Sequence, residues 1–144
     1  MNLFRRFHRG EGAQSLVEFA LILPIFLLLV TGLFDLARAV WQENTLAFAA
    51  REGTRYAIVH GSGSTLALGP SNPAEPNITA VVRGAAIGVA GVTVTTAWPD
   101  AGNDRGQRVS VDATAPFIPL PSYYLLGSIF HLDLKGGSML VIEN

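Results

Sequence analysis

One carboxylate stands alone in an apolar run. Glu18 lies near the start of LVEFALILPIFLLLVTGLF, residues 16–34, in which every other side chain is uncharged. An acid at membrane depth costs on the order of 2–3 kcal/mol on insertion scales, so it is read as functional and in need of a partner. The other residue types able to do chemistry form no working set. The chain has no cysteine, which excludes thiol catalysis, disulfides and Cys-ligated zinc. His8, His60 and His131 are widely scattered, and Ser15, Ser62 and Ser64 lack a nucleophile elbow or a Ser-His-Asp partner set. The glycines between Gly61 and Gly69 lack the lysine and helix start of a phosphate loop. Asp100-Ala101-Gly102-Asn103-Asp104 gathers two carboxylates and an amide, but without the distal bidentate glutamate of a calcium loop it reads as a polar hairpin turn. The expectation is a protein with no catalytic residue, no metal site and no cofactor.

The element that positions Glu18 is a helix. Nineteen apolar residues rise about 28 Å, close to the hydrocarbon thickness of a bilayer. Arg5, Arg6 and Arg9 precede the run with only Glu11 opposing them, whereas Asp35 and Arg38 cancel beyond it. The positive-inside rule therefore puts residues 1–13 in the cytoplasm and the rest outside, with membrane lipid as the first partner. A charged fraction of 15% and a mean hydropathy of +0.36 fit a membrane-associated chain. A net charge of -1, with no long basic run past the N-terminus, leaves no footprint for nucleic acid. Three fates compete for the run: an uncleaved signal anchor, a signal peptide cut after Ala37-Arg38-Ala39 to free a chain beginning at Val40, and a membrane helix processed on its cytoplasmic side. The second is disfavoured, because signal-peptide cores are about 7–15 residues long and have no use for a carboxylate.

The residues around Glu18 favour the third. Gly12-Ala13-Gln14-Ser15-Leu16-Val17-Glu18-Phe19 resembles the class III leader of type IV pilin-like proteins, in which a prepilin peptidase cuts before the apolar helix and a glutamate is the fifth mature residue. Counting back from Glu18 places the cut between Ala13 and Gln14, with Ala13 where the family usually has glycine; a cut after Gly12 would make Glu18 the sixth residue. The ordered set Gln14-Ser15-Leu16-Val17-Glu18-Phe19-Ala20, Leu23-Pro24, Gly32-Leu33-Phe34-Asp35-Leu36-Ala37-Arg38-Ala39 and Ala49-Ala50-Arg51-Glu52-Gly53-Thr54-Arg55-Tyr56-Ala57 resembles the TadE-like family of pseudopilins of tight-adherence (Flp) pilus systems. The resemblance covers about the first 57 residues. It implies a minor pilin-like assembly component, whose partners are prepilin peptidase, other pilins and pseudopilins of the same system, and the inner-membrane assembly platform. It also implies that Arg51, Glu52 and Arg55 are a partner-contact surface, although a solvated helix face explains those charges equally well. The rival reading is a membrane-tethered extracytoplasmic binding module on an uncleaved signal anchor.

Cleavage would give Gln14 a new α-amino group with a reference pKa of about 7.7–8.0, one helical turn from Glu18. In a bundle of such helices Glu18 of one subunit faces the amine of its neighbour, and pairing compensates two groups that are costly to leave alone in hydrocarbon. The alternative is that Glu18 snorkels to the headgroups.

Beyond the membrane Leu36, Ala39, Val40, Glu43, Leu46, Ala47, Ala50, Thr54 and Ala57 recur at spacings of three and four, so the helix is expected to run from residue 14 to about Ile58, on the order of 67 Å. Residues 59–76 are rich in Gly, Ser and Pro and read as a flexible linker. Residues 77–144 read as a small extracytoplasmic α+β domain. Its expected parts are a short helix over 77–87 capped by Asn77, and a hairpin of residues 92–98 and 107–114. Proline-punctuated residues 117–121 are unfit for a central strand, a brief helix is expected near Tyr123 to Ile129, and two final strands flank a turn at Gly136-Gly137. A core of that size is marginal alone, so it is expected to pack on the long helix.

Overall fold

The apolar run is part of one continuous helix in the computed structural model, which describes residues 4–71, 75–120 and 132–143, residues 4–11 as backbone only. This helix, α1 (Phe4–Ile58), is 55 residues long. It ends where the spacing predicts, and it starts upstream of Gln14, so the Ala13–Gln14 bond lies within helix. Pro24 sits inside it. Then follow α2 (Pro76–Ala85), β1 (Thr93–Ala97), β2 (Arg108–Phe117) and β3 (Leu132–Val141). The fold class is α+β, as expected: a long apolar helix, a short helix and an antiparallel sheet in the order β1-β2-β3.

The sheet's inner face comes from strict alternation. Val109, Val111, Ala113, Ala115 and Phe117 of β2 are buried, with Val94 and Thr96 of β1 beside them, while Ser110, Asp112 and Thr114 turn to the other side. The expected hairpin is present, with Thr93 opposite Thr114 and Ala97 opposite Ser110. The core is completed by Ile78 and Val82 of α2 and by Leu46, Ala49, Ala50 and Ala57 of α1. Each fully buried Val or Ile there contributes about 1.5–3 kcal/mol. The small residues of α1 let the sheet and α2 approach its backbone. Gly53 is one such close approach: a Cβ there would collide with Val82 Cγ2 and lie 3.2 Å from Val111 Cγ1.

Several expectations are corrected. Gly136-Gly137 is not a turn: β3 runs straight through both, with Gly136 opposite Ala113 and Gly137 opposite Asp112. The physical reason is α1, whose backbone at Leu46 and Ala47 presses on Gly136 so closely that a Cβ would meet it. Central strand β2 continues through Pro116 to Phe117, although proline-rich sequence begins there. Beyond Thr114 its only strand partner among the described residues is β3, so the missing N–H of Pro116 has no β1 ladder to satisfy. Asn77 does not cap α2, because Pro76 takes the first helical turn; the Asn77 amide donates instead to Glu75 Oε1 at 3.3 Å. The buried stripe of α1 is rotated from the expected one, taking in Asp35, Ala49 and Gly53 while Leu36, Val40 and Glu43 are exposed. Part of the Gly/Ser/Pro segment is tied down. Ser62 N–H donates to Asn103 O, Leu68 N–H to His60 O and Asn103 Nδ2 to Leu68 O, and Leu68 is buried. The brief helix expected near Tyr123 lies outside the described residues, as does the start of the strand expected from Ile129.

Candidate processing and assembly site

Glu18 is exposed on the first half of α1, and its carboxylate accepts a hydrogen bond from Gln14 Nε2 at 3.2 Å. The contact is the one helix geometry offers to residues four apart. It places Glu18 one turn beyond the expected Ala13–Gln14 cut, and the residue that would carry the new amine already faces the carboxylate. Around it the helix has no packing partner among the described residues. Leu16, Phe19, Ile22, Phe26 and Leu29 are all exposed, and none of the most apolar window is buried. The polar group of Thr31 is absorbed internally, its hydroxyl donating to Leu27 O at 2.9 Å. One long apolar helix whose surface the described residues leave open fits a single-pass membrane anchor.

At the end of the apolar run the exposure changes abruptly. Asp35 is only 6% exposed. Its Oδ2 accepts the N–H of Leu120 at 2.7 Å, 85 residues away, and its Oδ1 accepts Arg38 Nη1 at 2.7 Å. Arg38 in turn lies over the Phe117 ring, 5.3 Å from its centre, and Gln42 Nε2 donates to Pro116 O at 3.3 Å. The first turns of α1 past the apolar run therefore hold the end of β2. From the sequence, Asp35 and Arg38 are charges that cancel and members of the segment from Gly32 to Ala39 that carries the resemblance. Their i,i+3 spacing was visible, but the Leu120 amide was not.

Farther along, the motif from Ala49 to Ala57 divides between two faces. Ala49, Ala50, Gly53, Thr54 and Ala57 turn into the core, where Thr54 Oγ1 donates to Ala50 O at 2.8 Å and lies 3.3 Å from Ser138 O. Arg51 and Arg55 are exposed on the side away from the sheet, and Arg55 pairs with Glu52 at 3.3 Å. An exposed pair of this kind contributes little to stability. Glu18 and the Arg51, Glu52 and Arg55 cluster are thus not brought together; they stand on one rod, separated by about 50 Å of helical rise.

The polar loop of residues 100–104 is engaged with its own hairpin. Asp100 accepts the Arg108 N–H at 2.8 Å and its guanidinium at 2.7 Å, and these bonds hold the Asp100 carboxyl down at about 2. Among the described residues no three His, Cys, Asp or Glu side chains stand close enough to hold a metal ion.

Residues 13–55 match the family model described as TadE-like protein, as the resemblance led one to expect. The match begins at the expected cut, contains Glu18, Asp35 and the Arg51 to Arg55 cluster, and leaves the sheet outside. No curated protein and no solved structure matches the chain.

Proposed function

We propose, with residues 13–55 as a TadE-like segment for premise, that the protein is a minor pilin-like component needed to assemble tight-adherence type IV pili, and so serves their adhesion and secretion apparatus. It sits in the cytoplasmic (inner) membrane as a single-pass protein, leader inside and sheet domain outside. A prepilin peptidase removes residues 1–13. The mature subunit then joins other pilins and pseudopilins at the inner-membrane assembly platform, and no catalytic role is assigned to it.

The observation that carries this reading is Glu18, an exposed carboxylate in an otherwise uncharged apolar run that the described residues leave uncovered, one turn from Gln14. In the uncut chain its hydrogen bond comes from a neutral amide of the same helix. Cleavage adds a cation at the same level, and the Gln14 amine of a neighbouring subunit is the stronger partner. Such a pair fixes the axial register of packed helices, since sliding by one turn leaves both charges alone in hydrocarbon. The outward Arg51, Glu52 and Arg55 are then available to a second protein, clear of the sheet.

N-terminal mass spectrometry of protein extracted from membranes tests the processing step. A chain starting at Gln14 supports it, and retention of residues 1–13 would instead favour an uncleaved tether carrying a binding module. For the assembly step, Glu18→Ala should leave insertion intact and reduce incorporation into pili or pseudopilus complexes. Normal piliation in that variant would refute the pairing role.

A further inference from the structure

The base of the sheet domain is the part of the molecule that the helix anchor delivers to the membrane. We propose that this base docks on the phospholipid surface from which α1 emerges, with Arg38 at the level of the phosphates and Ile87 and Leu132 dipping into the interface. The proposal rests on α1 being a membrane anchor.

The argument starts from distance. Asp35 directly follows the apolar run, and its carboxylate holds the Leu120 amide at 2.7 Å. Arg38 holds Phe117 and Gln42 holds Pro116 O, so the whole end of β2 is fixed between α1 positions 35 and 42. Seven residues of helix rise about 10 Å. The headgroup layer on each side of the hydrocarbon core is about 5–8 Å thick. A domain pinned at Asp35 cannot stand off from the membrane by a layer of water; its base starts inside the headgroups.

The chemistry of that base suits the place. Ile87, in the turn after α2, is 76% exposed, and the Gly88 beside it packs against the Trp41 ring. Leu132 pairs with Phe117 at the same end of the sheet and is 58% exposed. Large aliphatic side chains left so open on a small domain, at the height where a bilayer must begin, have an apolar medium within reach. Trp41, whose ring packs on Gly88, is half-exposed about 10 Å of helical rise beyond Phe34, just outside the headgroup layer. The Asp35–Arg38 pair is sorted in the same sense. The carboxylate of Asp35 is turned inward to Leu120, while its partner Arg38 has half its side chain open; the other acid at this end of the sheet, Asp133 beside Leu132, is exposed. A guanidinium in that position matches lipid phosphate.

The absence of cysteine makes the test clean, since any introduced thiol is unique. Spin labels are placed on the full chain through Phe26→Cys in the span, Ile87→Cys and Leu132→Cys at the base, and Thr65→Cys beyond the far end of α1, all at exposed positions. The labelled proteins are reconstituted in vesicles of phosphatidylcholine with a minority of phosphatidylglycerol. Collision with a water-soluble nickel chelate and with oxygen is then measured by power saturation. The expected result is hydrocarbon depth at Phe26→Cys, full chelate access at Thr65→Cys, and several-fold lower chelate access at both base labels. Base labels as accessible as Thr65→Cys, with Phe26→Cys still buried in lipid, would overturn the docking and leave the anchor standing. Chelate access at Phe26→Cys would overturn the anchor and the docking together.

Discussion

Two adjacent glycines in β3 give a sharp contrast. At Gly136 an added methyl group meets the α1 backbone, colliding with Leu46 C and Ala47 N and lying 2.6 Å from Ala47 Cα. Carbon contacts are normally about 3.5–4.0 Å, and neither partner is a side chain that can rotate away. Gly136→Ala therefore has to lift α1 off the sheet by about an ångström, and a gap of that size forfeits a quarter to a half of the dispersion energy across the contact. Overpacking of this kind costs up to about 3 kcal/mol, against which replacing glycine within a strand returns about 0.5–1 kcal/mol. The net loss is about 2 kcal/mol, or roughly 8–16 °C in melting temperature for a domain of this size. At Gly137 the nearest atom is Asp112 Oδ1 at 2.5 Å, the end of a side chain free to swing into solvent at the expense of its exposed pairing with Lys135. Gly137→Ala should stay within about 1 kcal/mol of the parent protein. The assay is thermal unfolding in detergent, followed by circular dichroism. Equal effects of the two substitutions, as a Gly-Gly turn would give, or a milder effect at Gly136, would refute the packing argument.

Asp35→Ala should leave the Leu120 amide and the Arg38 guanidinium without their acceptor, costing about 1–3 kcal/mol, and it should speed hydrogen exchange at the Leu120 amide. Exchange there at the parent rate would show that Asp35 does not hold the end of β2. Gly53→Val should displace α2, because Val82 Cγ2 and Ile78 Cγ2 occupy the space its side chain needs, and a melting temperature unchanged from the parent would contradict that close approach. The Asp100 carboxyl should titrate at about 2 instead of near 3.8, since the Arg108 side chain and amide both bond its ionised form. Its folded-state pKa is depressed, so the contribution to stability is fully present above 3.8 and fades as pH falls through about 2. Carboxyl NMR shifts followed over that range check the value, and an ordinary titration near 3.8 would mean that the pair does not form in solution.

Much of the molecule was written in local pattern. Nineteen apolar residues set a helix of membrane length whatever lies beside them, and the three-and-four spacing carried that helix to Ile58. Alternation of β-branched residues located β1 and most of β2. Glu18 and its Gln14 neighbour needed no tertiary information, because a helix brings residues four apart onto one face by its own geometry. What could not be read were contacts between residues far apart in the chain. Gly136-Gly137 carries the composition of a turn, and only the arrival of α1 over Leu46 and Ala47 makes it the middle of a strand. Gly53 sits in a charged helical motif whose pattern says nothing of packing, and only the arrival of Val82 and Val111 in the space of its missing side chain makes a glycine necessary there. Asp35 looked like half of a cancelling pair, yet its second oxygen holds an amide 85 residues on. The sequence by itself determined an anchored helix with one charge that needs a partner. Only the tertiary structure decided where the domain hangs on that helix, because shape complementarity between distant segments leaves no period in the chain to betray it.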